Sequence, residues 1–170
     1  MSNRVERQHN HEINNQEPRV ISKQELLLQN QKLIDQFKRN HIFNKEGQFK
    51  TGIHQKTFKE GATYQGQLNN EGFREGKGLF KYKENEDIYF GDWKDDKFDG
   101  FGTYVFTKGD RYNGELKDGR KNGKGIYYYA NGNMYDGNWF NDKKHGHGKF
   151  KYANTKEMYE GKNGFFIYKI

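Results

Sequence analysis

The chain of 170 residues contains no cysteine, two serines (Ser2 and Ser22) and one proline, Pro18. Without cysteine there is no disulfide, no thiol nucleophile and no thiolate metal ligand, and a reducing compartment is the fitting setting. Two serines near the N-terminus, one of them in a helix-start pattern, leave no candidate for a Ser–His–acid nucleophile. Long apolar runs are also missing, since none approaches the ~20 residues that span a bilayer. The opening stretch MSNRVERQHNHEINNQ carries acids and no apolar segment, so it resembles neither a secretory signal nor a transit peptide. Aliphatic residues are scarce too: hydrophobic residues make up 31%, charged residues another 31%, and mean hydropathy is −1.31. A thick aliphatic core cannot be built from this composition.

The net charge of +7 is spread over the chain. Residues 1–60 hold 11 Lys and Arg against 7 acids, and residues 61–170 hold 19 against 16. The signs are interspersed, with no continuous basic stripe, which argues against nucleic acid as a partner.

Rings and glycines are abundant. The chain has 12 Tyr, 14 Phe, 2 Trp and 21 Gly, and all the Tyr and Trp, with all Gly except Gly47 and Gly52, follow residue 60. A Tyr-x-Gly triplet returns at Tyr64, Tyr89, Tyr112, Tyr135 and Tyr159, at intervals of 25, 23, 23 and 24 residues. Between the triplets lies Gly-x-Gly followed by an aromatic: Gly76/Gly78/Phe80, Gly100/Gly102/Tyr104, Gly123/Gly125/Tyr127 and Gly146/Gly148/Phe150. A fixed period of this size marks a repeat array, in which each unit buries its apolar face against its neighbours. Arrays of this kind present surface and rarely carry chemistry.

Read by period two, each unit is a β-hairpin with its glycines and rings on one face. Tyr89, Gly91 and Trp93 share a face on one strand, and Gly102, Tyr104 and Phe106 share a face on the next. A glycine lets a neighbouring ring lie flat over the backbone, so rings and glycines are expected to stack into ladders. The segments 94–97, 117–120 and 141–144 have turn composition. Tyr129-Ala130-Asn131-Gly132 is read as the turn into the next unit, and Asn163-Gly164 as a two-residue hairpin turn in a short terminal cap.

Four segments are expected: a polar arm at 1–20, an amphipathic helix at 21–40, a connector at 41–57 and the β-array at 58–170. Ser22-Lys23-Gln24-Glu25 reads as a capping box, with Ile21 and Leu26 placed as a hydrophobic staple. The helix either caps the open first edge of the sheet or binds a partner. The expected fold is therefore an all-β repeat array of consecutive antiparallel hairpins in one elongated, twisted layer, preceded by one helix and a flexible arm.

These motifs resemble the MORN repeat over about residues 58–170. Unit one departs from the pattern by an extra residue before Gly76 and by Glu86 where a turn glycine is usual. Unit four has Thr155 at that place, and unit five is truncated. The resemblance implies a non-catalytic scaffold, similar to MORN-repeat subunits of radial spoke heads and other axonemal or cortical structures. It places the chain in the cytoplasm and cytoskeleton, with the cilium axoneme as the setting. Its partners would be other protein subunits of a large assembly, a second copy of the chain, or acidic phospholipid. Some family members are reported to bind phosphoinositides, which makes a membrane tether the alternative.

No cofactor is expected. His145-Gly146-His147 does not close a metal site, Gly76-Lys77-Gly78 lacks the Lys-Ser/Thr of a phosphate loop, and the acids Asp92, Asp95, Asp96 and Asp99 lack Ca²⁺-loop spacing. Candidate partner contacts are Phe90, Phe101, Tyr128 and Phe140 on the face opposite the glycines, with Leu27, Ile34 and Phe37 on the helix. Candidate acidic-lipid contacts are Arg120, Lys121, Lys124, Lys143 and Lys144 near two turns.

Overall fold

A computed structural model describes residues 22–153 in full and the backbone of 158–162 and 165–169. The arm at 1–20, the staple residue Ile21 and the turn Asn163-Gly164 lie outside the described residues. Helix α1 (Lys23–Phe37) continues into one π-helical turn (Lys38–Ile42). Eleven strands follow: β1 (His54–Thr57), β2 (Thr63–Leu68), β3 (Arg74–Lys81), β4 (Ile88–Lys94), β5 (Lys97–Val105), β6 (Arg111–Lys117), β7 (Arg120–Tyr128), β8 (Met134–Phe140), β9 (Lys143–Lys151), β10 (Met158–Lys162) and β11 (Phe165–Lys169). They form one antiparallel sheet in which spatial order equals chain order. Only neighbours pair, as a repeat array requires.

Turn chemistry sets the strand boundaries. Asp95-Asp96, Asp118-Gly119 and Asn141-Asp142 all have positive φ, the two-residue turn whose twist matches that of paired strands. The extra residue of unit one has a visible effect. β2 and β3 are joined by a five-residue loop, Asn69–Phe73, in which the Asn69 side chain accepts from the Glu71 and Phe73 amides at 3.0 Å each. The connections between repeats turn at Gly61, Gly109 and Gly132, all with positive φ. Unit one has Glu86 there instead, at φ 55°. A side chain in that region costs about 1–2 kcal/mol, so among the described connections this is the strained one.

One face of the sheet is the core. Across every β-pair from β2 to β10, glycine stands opposite glycine: Gly66↔Gly78, Gly78↔Gly91, Gly91↔Gly102, Gly102↔Gly114, Gly114↔Gly125, Gly125↔Gly137, Gly137↔Gly148 and Gly148↔Gly161. The repeat tyrosines lie flat in the trough this opens. A Cβ on Gly125 would come within 2.6 Å of Cε2 and Cζ of Tyr112, and one on Gly102 within 2.5 Å of Cε2 of Tyr89. Each tyrosine hydroxyl then donates to a carbonyl three residues on: Tyr64 to Gln67, Tyr89 to Asp92, Tyr112 to Glu115 (2.7 Å each) and Tyr135 to Asn138 (3.2 Å). Trp93 packs edge-on between Tyr64 and Tyr89, and its indole N–H donates to Gly78 at 3.1 Å. Trp139 does the same between Tyr112 and Tyr135, donating to Gly125 at 2.9 Å. Aromatic burial of roughly 150–250 Å² per ring thus replaces the missing aliphatic core.

The helix starts at the capping box the sequence contains. Ser22 Oγ accepts from the Glu25 amide at 3.2 Å, and Glu25 Oε2 accepts from the Ser22 amide at 2.9 Å. It lies on the opposite, outer face of the sheet rather than along the first edge. Ile34 is buried with Leu79 (β3), Phe90 (β4) and Val105 (β5), and Leu33, Phe37 and Ile88 close around them. The physical reason is compositional. The outer face of β3–β5 carries Leu79, Ile88, Phe90 and Val105, whereas edge strand β1 reads His-Gln-Lys-Thr and is exposed throughout, offering an apolar helix nothing to bury.

Candidate binding surfaces

A second set of side chains stitches neighbouring repeats together. Asp87 accepts from the Tyr104 hydroxyl at 3.1 Å and from the Thr107 amide at 2.9 Å. One repeat on, Asp110 accepts from the Tyr127 hydroxyl at 2.7 Å and the Ala130 amide at 2.8 Å. Asn133 continues the series by accepting from Ala153 at 3.0 Å. Burial pushes the Asp110 carboxyl up, but the Tyr127 hydroxyl, the Ala130 amide and Lys108 outweigh it and hold it below the usual carboxylate range. These clamps were not identified from the sequence, although a signal was present: each acid or amide stands two residues before a repeat tyrosine.

The basic residues divide into two groups. Lys121 Nζ lies 4.6 Å from the Trp139 ring and 5.2 Å from that of Tyr127, and Lys144 Nζ lies 4.7 Å from Phe150 and 4.8 Å from Tyr135. Arg74 occupies the same repeat position at 4.3 Å from Trp93, and Phe98 takes it in β5, stacked on Tyr89 at 3.8 Å. These cations belong to the aromatic trough, and desolvation there lowers the pKa of both Lys121 and Lys144. Arg120, Lys124 and Lys143 are exposed outside the trough. The five lipid-contact candidates therefore do not form one surface. Register explains the split, because adjacent residues on a strand point to opposite faces.

The aromatic candidates also separate. Phe90 and Ile34 are buried, and Phe37 packs its ring 5.2 Å from Phe90, so all three belong to the seat of the helix. Tyr128 stacks under the Arg111 guanidinium at 4.2 Å. Arg111 is itself buried and donates to Asn30 Oδ1 at 2.9 Å, which ties α1 to β6; its Nε and the Asn30 amide nitrogen have no hydrogen-bond partner. Ile88 and Met134 occupy the equivalent repeat position, so Arg111 is a departure specific to the unit the helix crosses. Phe101 (53% exposed), Phe140 (54%) and Leu27 (45%) remain open, together with Leu28 (58%), which the sequence reading did not single out.

The outer face changes character along the array. Under the helix its central row reads Leu79, Phe90, Thr103; beyond the helix the same row continues as Asn113, Ile126, Asp136, Lys149. Among the described residues, no group of three or more His, Asp or Glu side chains is placed to hold a metal ion. What the molecule offers is a rigid sheet with one conserved geometry inside and a varied surface outside.

The MORN repeat family model matches residues 64–85, 89–111, 112–134 and 135–155, just over half of the chain. No curated protein matches it.

Proposed function

Since the chain belongs to the MORN repeat family, whose repeats mediate protein or lipid interactions, we propose that it is a non-catalytic scaffold subunit that docks neighbouring proteins on its sheet. The assembly we have in mind is cytoskeletal or ciliary, a radial spoke or another axonemal complex, within the cytoplasm. One observation supports this reading above others. The repeat tyrosines and the Asp87 and Asp110 clamps are spent on internal hydrogen bonds, while Phe101, Phe140, Leu27 and Leu28 are large apolar side chains left open outside the trough. Apolar side chains exposed on a rigid surface are the usual anchors of protein interfaces.

A membrane tether on acidic lipid is the second reading, favoured by the exposed Arg120, Lys124 and Lys143. Fractionation separates the two. With the tagged chain expressed in ciliated cells, the scaffold reading expects retention in the axoneme after non-ionic detergent, and loss of retention in Phe101→Ser/Phe140→Ser. Complete release by detergent contradicts the scaffold and supports the tether.

A further inference from the structure

Beyond the helix, the outer face of β7–β9 sets Lys124, His147 and Lys149 around the carboxylate of Asp136. Strand β9 reads Lys-Lys-His-Gly-His-Gly-Lys-Phe-Lys and contains no acid. Its register sets His147 and Lys149 on the outer face, with Lys124 of β7 across Asn138 and Asp136 of β8. Between them lies a depression of about 330 Å³, whose lining includes Lys124, Asp136, Asn138, His147 and Lys149. Its floor is backbone at Gly137 and Gly148, because the missing side chains of those glycines would point to the tyrosine side. Asp136 and Lys149 are direct register partners, yet they form no ion pair within salt-bridge distance. Half-burial pushes the Asp136 carboxyl up against the opposing pull of Lys149 and Lys124. The register position beyond Lys149 is Glu160 of β10.

We propose that this face binds an extended acidic segment of a partner protein, with its carboxylates on Lys124, His147 and Lys149. Charge complementarity selects an anionic occupant, and two features select a protein segment over a bilayer. Past the bulge at Gly146, the outward residues His147 and Lys149 of β9 stand two positions apart, about 6.8 Å, which is the side-chain spacing of an extended chain lying along the strand. A flat headgroup layer would leave the depression unfilled, whereas a peptide side chain enters it. The proposal rests on the scaffold reading for its class of partner, and it adds the site and the partner's chemistry.

The test is fluorescence anisotropy on the full chain with a labelled alternating (Glu-Ser)6 peptide, a (Lys-Ser)6 control, and vesicles containing phosphatidylserine. The expected result is saturable binding of the acidic peptide alone, weakened about tenfold by Lys124→Gln/Lys149→Gln and unchanged by Lys45→Gln at the other end of the molecule. Asp136→Asn should tighten binding two- to threefold, a direction that misfolding cannot mimic. Absent peptide binding, an unchanged affinity in the double lysine variant, or binding to the vesicles without binding to the peptide would each overturn the proposal. Peptide binding is read in vitro, so it can succeed where axonemal retention fails, and the two readings are tested separately.

Discussion

The two faces of this sheet carry different information. On the inner face four successive units repeat one arrangement: tyrosine over paired glycines, a hydroxyl bonded three residues on, and an indole or Leu116 between neighbouring tyrosines. On the outer face no two units agree. The early strands seat a helix on Leu79 and Phe90, β6 presents a buried arginine, and β7–β9 present lysine and histidine. The contrast teaches that the repeat signature encodes the fold and leaves the outer positions free to differ. What distinguishes this protein from another array of the same repeats is therefore written on the outer face.

The largest effect expected on this comparison comes from the glycine ladder. Gly102→Ala brings a methyl within 2.5 Å of the Tyr89 ring, so the ring must shift from its place over the glycines. Denaturant unfolding should show a loss of about 1–3 kcal/mol, as for overpacking in a well-packed core. A loss below about 1 kcal/mol would mean the ladder repacks and is not the core.

Next is the helix seat. Ile34→Asp places a charge against Leu79, Phe90 and Val105, so α1 should detach while the array stays folded. Hydrogen exchange should rise across residues 23–42 and stay slow in β6–β8. Global unfolding instead would show that the outer face is as structural as the inner one.

The clamps come third. Asp110→Ala leaves the Tyr127 hydroxyl and the Ala130 amide without their acceptor, a loss of about 2 kcal/mol. The pH sign follows from the depressed carboxyl. Its contribution is fully present above the ordinary carboxylate value of about 3.9 and fades as pH falls through the lower folded value. Thermal melts below about pH 4 should therefore show wild type converging on Asp110→Ala. A constant gap down to pH 2 would contradict the assignment.

The smallest effect is a gain. Glu86→Gly relieves the one left-handed non-glycine among the described connections between repeats, so stability should rise by about 0.5–1 kcal/mol. A loss would mean that the Glu86 side chain, 3.4 Å from Lys81, does more than its backbone strain costs.

How much of this was legible from the chain follows the same division. The hairpin period, the glycine-facing rings, the turns at 94–97, 117–120 and 141–144 and the capping box were readable because each is local: a spacing of two, a spacing of three, or a residue type that tolerates positive φ. The seat of the helix was not. Phe90 sits at a position that period two assigns to solvent, and only the long-range approach of Ile34 and Phe37 buries it. Lys121 and Lys144 resemble free surface charges in the sequence, yet they lie over rings from neighbouring strands. The Asp87 and Asp110 clamps needed both: a local signal two residues before each tyrosine, and partners about twenty residues away.

One pair of neighbours tests the central claim most directly. Gly125 faces Tyr112 on the inner side, and Lys124, one residue earlier, is exposed on the outer side. Denaturant midpoints of Gly125→Ala and Lys124→Gln, measured side by side, should differ: a loss of about 1–3 kcal/mol for the glycine and a change within about 0.5 kcal/mol for the lysine. Equal losses, or a tolerated alanine beside a costly glutamine, would contradict the assignment of the fold to one face and of individuality to the other.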